Sequence, residues 1–110
     1  MVWMDAAWQY RALVTVDKTK VGSGGVTNFP ILLTAANMPA GLWADALASG
    51  ADLRVTSDDG TTEINFELVS FTPGTPAMEM WVLGASVPSA TNWTGYVYWG
   101  NAAASAKAAN

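Results

Sequence analysis

Residues 51–71 read Ala51-Asp52-Leu53-Arg54-Val55-Thr56-Ser57-Asp58-Asp59-Gly60-Thr61-Thr62-Glu63-Ile64-Asn65-Phe66-Glu67-Leu68-Val69-Ser70-Phe71. Two alternating stretches flank Asp58-Asp59-Gly60, in which Asp tolerates left-handed backbone and Gly adopts it freely, so a hairpin is predicted. In the second arm Ile64, Phe66 and Leu68 share one face while Glu63, Asn65 and Glu67 share the other. That period of two is the signature of a half-buried strand, and it is the clearest alternation in the chain.

The same period recurs on both sides. Trp8 to Val16 puts Trp8, Tyr10, Ala12, Val14 and Val16 opposite Gln9, Arg11, Leu13 and Thr15. Residues 17–28 hold Gly22, Ser23, Gly24 and Gly25 and read as a loop. A P-loop is excluded there, because the Lys-Ser/Thr pair and a following amphipathic helix are missing. Phe29 to Thr34 reads as a strand whose Pro30 marks its start or a sheet edge. Pro39 to Ala48 breaks the alternation, with Leu42, Trp43, Ala46 and Leu47 at helical spacing and Gly50 just beyond, so one short helix is predicted. Met78 to Leu83 is apolar on both faces apart from Glu79 and reads as a central strand, and Trp93 to Trp99 is the last. Short strands separated by turn signals, with one minor helix, predict an all-β fold: an antiparallel β-sandwich of jelly-roll type.

The chain of 110 residues is one domain, with a core over about 8–101, an N-terminal arm over 1–7 and a C-terminal tail over 102–110. The small-residue tail should fray unless something pins it, and a neighbouring subunit is one candidate. With 51% hydrophobic residues the chain can bury a core without a metal or disulfide. No leader is read at the N-terminus, and no apolar run approaches the roughly 20 residues that span a bilayer, so a soluble domain is expected, with no membrane partner.

Cysteine and histidine are both absent. Thiol nucleophiles, zinc clusters and imidazole-based acid–base schemes go with them. A net charge of −4 has the wrong sign for binding nucleic acid. Glu63 and Glu67 share a strand face but would stand roughly 13 Å apart at about 3.3 Å per residue, outside the glycosidase windows. Glu79 on another strand could approach one of them. Asp52, Asp58 and Asp59 have the oxygen chemistry for calcium, yet their spacing matches no EF-hand loop. No catalytic residue, metal site or cofactor is therefore expected.

Six tryptophans are many for this length. Trp and Tyr build cores, protein interfaces and platforms for sugar rings, and all three uses stay open here. Alternation sets Trp93, Gly95, Val97 and Trp99 against Thr94, Tyr96 and Tyr98. If the first set is core, Tyr96 and Tyr98 form an exposed aromatic surface, with Trp81 beside them, and these three are the candidate binding residues.

Seven strings in order, Trp8-Gln9-Tyr10-Arg11, Asn28 to Leu33, Gly50 to Thr56, Asp59-Gly60, Phe66-Glu67-Leu68, Met80-Trp81-Val82 and Tyr96 to Asn101, cover nearly residues 8–104. Their order and spacing resemble the domain of unknown function 2341 family. The chain departs from it in two places: its commoner Tyr-Tyr-Gly-Asn ending is Tyr98-Trp99-Gly100-Asn101 here, and Leu83-Gly84 stands where a more polar pair is usual. The resemblance implies a β-sandwich module of bacterial surface proteins or phage structural proteins, with no established catalytic residues to carry over. A chain without an export signal fits the phage setting better. The expected function is thus a non-enzymatic virion component, in capsid decoration or a tail or fibre, contacting other virion subunits or copies of itself as a homo-oligomer. The alternative is a carbohydrate-binding module from a larger bacterial surface protein, extracellular and partnered by glycans.

Overall fold

The structure is a computed structural model and describes residues 3–105. It has six named strands: β1 (Tyr10–Val16), β2 (Val26–Thr34), β3 (Arg54–Ser57), β4 (Phe66–Thr72), β5 (Ala77–Val87) and β6 (Trp93–Trp99). One short helix, α1, spans Gly41–Asp45. The strands form two three-stranded antiparallel sheets, ordered β1-β6-β3 and β2-β5-β4. First pairs with last and second with fifth, so the chain is a folded ribbon wound into an antiparallel sandwich, the jelly-roll arrangement. The central strands are β5, apolar on both faces apart from Glu79 over Met78–Leu83, and the aromatic-rich β6.

The two inner faces meet in one core. Met78, Met80 and Val82 of β5 face Val55 of β3 and Val97 and Trp99 of β6, with Val14, Ile31, Leu33, Leu42 and Leu53 packed around them. Trp93, Gly95, Val97 and Trp99 form the inward set of β6, as the alternation predicts. Pro30 sits on an outermost strand, where its missing N–H breaks no ladder.

Three local expectations change. Thr61 to Phe71 is not one strand. Past the Asp58-Asp59-Gly60 turn, Glu63 makes an isolated bridge to Thr56, held by Ser57 N–H to Thr62 O at 2.9 Å and Ile64 N–H to Val55 O at 2.8 Å. Leu83 N–H then bonds Asn65 O at 3.0 Å and hands the chain to the second sheet, where β4 begins at Phe66. The alternation survives the switch, because Ile64, Phe66 and Leu68 stay half-buried on either side of it. A bulge between Leu68 and Ser70 then leaves Val69 exposed and turns Phe71 inward.

Strand β5 runs on to Val87, because β2 starts at Val26 and pairs it there. The helix is one turn instead of the predicted Pro39 to Ala48. The N–H of Leu47, which would continue it, bonds Asp52 Oδ1 at 3.0 Å, and Ala46 is extended. Residues 1–2 of the expected arm and 106–110 of the expected tail lie outside the described residues.

Asp52 ties these pieces together. Its wholly buried carboxylate accepts Leu47 N–H through Oδ1, and Gly100 N–H at 2.8 Å and Asn101 N–H at 3.3 Å through Oδ2. Its carbonyl accepts the Trp8 indole N–H at 2.7 Å. Gly100 has φ +90°, and a Cβ there would lie 2.5 Å from the Tyr10 ring, so only glycine lets this N–H reach the carboxylate. Charge-assisted bonds to backbone donors are strong, and leaving such donors buried without an acceptor is costly. Asp52→Ala should therefore lower unfolding free energy by about 3 kcal/mol or more in urea denaturation, with Asp52→Asn falling between it and the native chain.

Candidate functional site

The three aromatic candidates do not form one surface. Tyr96 and Tyr98 point outward from the first sheet, and Trp81 points outward from the second. They sit on opposite faces of the sandwich, whose sheets stack roughly 10 Å apart, so Trp81 is not beside the tyrosines.

Tyr98 is also not exposed; its relative accessibility is 0%. Arm residues 3–8 fold back over the Tyr98 end of the first sheet's outer face and cover that ring. The Trp3 ring meets Tyr98 edge-on at 5.3 Å. The Arg11 guanidinium lies 4.1 Å from the Tyr96 ring centre and 4.5 Å from that of Trp3, a cation held between aromatic faces. Tyr98 Oη donates to Gly60 O at 2.7 Å and accepts from Met4 N–H at 3.1 Å and Arg11 Nη1 at 2.9 Å. One phenol therefore joins the arm, β1, β6 and the turn after β3.

The arm closes on itself and on the Asp52 loop. Asp5 Oδ1 accepts Ala7 N–H, and the Trp3 indole donates to Trp8 O at 2.8 Å. Arg54 lies over the Trp8 ring at 5.3 Å and donates to Ser105 O at 2.7 Å. The described parts of both ends are thus pinned within the chain. The sequence reading missed this role of Arg11. Its signal was the pairing of the first and last strands, which sets Arg11 directly opposite Tyr98.

Trp81 occupies a different setting. Its cross-strand neighbours are Leu32 on β2 and Glu67 on β4, and Leu83 is paired with Pro30. Leu32 is 42% exposed and Leu83 39%. The Trp81 indole N–H donates to Glu79 Oε2 at 2.9 Å. A groove of about 240 Å³ opens here, lined by Pro30, Asn65, Phe66, Glu67, Trp81 and Leu83. Carboxylates stand on two sides of the indole, Glu67 across the ladder and Glu79 along the strand. Glu63 belongs to the bridge with the first sheet and is not part of this group.

The aspartates do structural work. Asp52 is spent on backbone donors, as described above. Asp59 Oδ1 accepts Ser57 Oγ, Thr61 N–H and Thr62 N–H, and Oδ2 accepts the Thr62 hydroxyl. Among the described residues no three His, Cys, Asp or Glu side chains gather as a metal-holding group, and no helix is long and apolar enough to cross a membrane.

Hydrogen bonds from Thr62, first of all its hydroxyl, hold the Asp59 carboxyl far below its ordinary value of 3.8. A depressed folded pKa contributes stability above the unfolded value that is lost as pH falls through the folded one. The stability gap between the native chain and Asp59→Ala should therefore be constant above about pH 5 and shrink steadily below pH 4, as read by thermal melts across that range. Tyr98→Phe should cost about 2 kcal/mol and speed amide exchange across residues 3–8, because the arm loses its phenol anchor while the ring packing remains.

Neither the protein-family models, the curated proteins nor the solved structures yield a match to this chain. The resemblance drawn from the seven strings stands on those strings alone.

Proposed function

We propose that the chain is a non-enzymatic structural module that assembles through protein–protein contacts on the outer face of its second sheet. The observation that carries this is an asymmetry. On the first sheet's outer face the arm covers Tyr98 and leaves Leu13 exposed alone among the large apolar side chains, whereas the second presents Leu32 and Leu83 together to solvent beside Pro30 and Trp81. Contiguous apolar surface of this kind marks contact sites. The phage virion, with the module as capsid decoration or as part of a tail or fibre, is the setting that the family resemblance favours. The absence of histidine and cysteine from the sequence supports a non-catalytic role.

A second reading, a carbohydrate-binding module, is favoured by the Trp81 groove itself, where an aromatic face lies between carboxylates that can accept sugar hydroxyls.

Light scattering separates the two. The native chain should exceed its monomer mass of 11.6 kDa increasingly with concentration. Leu32→Ser/Leu83→Ser should stay monomeric with a nearly unchanged melting temperature, because both positions are exposed. A native chain that remains monomeric throughout and binds an oligosaccharide would move the assignment to the second reading.

A further inference from the structure

A second aromatic setting lies where the chain crosses between the sheets. Trp93, at the start of β6, is half-buried, and a Cβ on Gly95 would meet its Cη2 at 2.8 Å, so the bare glycine is what seats the ring. Two hollows adjoin it, of about 400 Å³ and about 310 Å³, and both are lined by Ser57, Ser86 and Trp93. Both volumes lie within the roughly 300–1,000 Å³ of small-ligand sites. The first runs along the crossing segment past Glu63 and Asn65, and the second opens between the turn after β3 and the loop before β6.

The hydrogen-bonding groups of this cleft are of both kinds. Asn92 Oδ1 accepts Lys18 N–H at 2.9 Å, which leaves the two amide N–H groups of Asn92 without a partner among the described residues. The Trp93 indole N–H is likewise unpaired there and is not sealed from solvent. Acceptors line the same hollow. The exposed Asp58 carboxylate bonds no described residue, and Ser57 Oγ, having donated to Asp59, keeps its lone pairs. The hydroxyls of Ser86, Thr91 and Thr94 can do either. No lysine or arginine is among the lining residues.

That set discriminates between ligands. A cation would leave the indole and amide donors unmet, and an anion would face Asp58 with no base to balance it. A sugar hydroxyl donates and accepts at once, and the C–H face of a pyranose packs on an aromatic ring. We infer that the Trp93 cleft binds a neutral oligosaccharide, with Trp93 against one sugar ring and Asp58 and Asn92 bonding its hydroxyls. Neither Trp81 nor Leu32 lines this cleft, and the inference does not rest on the assembly reading.

The test is a titration of the full chain with maltotriose, cellotriose and triacetylchitotriose, followed through the indole N–H resonances and the Asn92 side-chain amide. A saturable shift centred on Trp93 and Asn92 is expected with at least one of the three. Asp58→Ala should weaken that binding about tenfold, the loss of one hydrogen bond to a charged acceptor. Asn92→Asp keeps the acceptor for Lys18 N–H while removing the amide donors, and should weaken it about fivefold. Both positions are exposed, so the variants should fold as the native chain does. No saturable shift with any of the three sugars, unchanged affinity in both variants, or a stronger response to Nα-acetyl-arginine amide would overturn the inference. So would a sugar response centred on the Trp81 indole, which would place the ligand in that groove instead. Light scattering of Leu32→Ser/Leu83→Ser judges the assembly reading separately, whichever way the sugar titration falls.

Discussion

A single buried carboxylate organises the parts of this molecule that are not sheet. Asp52 accepts from the end of α1, from the turn after β6 and, through its carbonyl, from the arm before β1. A charge this deeply placed is tolerated only because backbone donors surround it. The geometry also explains two departures from regular structure nearby: the helix ends after one turn because Asp52 takes the next N–H, and the chain crosses position 100 in a conformation open to glycine. Arg54, two residues on, then reaches Ser105 and Trp8. Both ends of the domain are therefore attached to one loop.

Much of the fold is legible in the sequence because the sheets are antiparallel and half-buried. Alternation identifies the inward residues of β5 and β6, and Pro30 reveals its strand as an outer one. Alternation cannot show a change of sheet. The pattern through Ile64, Phe66 and Leu68 is unbroken although the backbone leaves one sheet for the other at Asn65, because both faces meet the same core. The bulge at Val69 is hidden for a related reason, since a run of apolar residues accepts either register.

The candidate site was legible in part. Trp81 does lie on an open face, but Tyr98 does not, and the difference comes from arm residues such as Trp3 and Met4, whose pattern has no period. The strand alternation correctly puts Tyr96 and Tyr98 outside the sandwich core. What it lacks is the return of Trp3 and Met4 across that face, stabilised by Arg11 from the neighbouring strand. The outcome is a molecule with two unlike sides. One has its tyrosines and Arg11 engaged with the chain's own arm, and the other keeps an aromatic ring and two carboxylates turned outward.

The winding of the ribbon also constrains how the chain reaches this state. Tyr10 pairs with Trp99, so the first sheet has no middle strand until the last strand has been added. Strands β1 and β3 touch β6 and not each other, and neither can form its ladder early. Closing so long a loop costs chain entropy before any contact repays it, which slows folding in proteins dominated by distant pairings. On a ribosome, the second sheet with β2, β5 and β4 is available first, and β1 remains an unpaired strand with Val14 uncovered until β6 emerges. The final strand acts as a keystone, and the domain becomes whole in one late step.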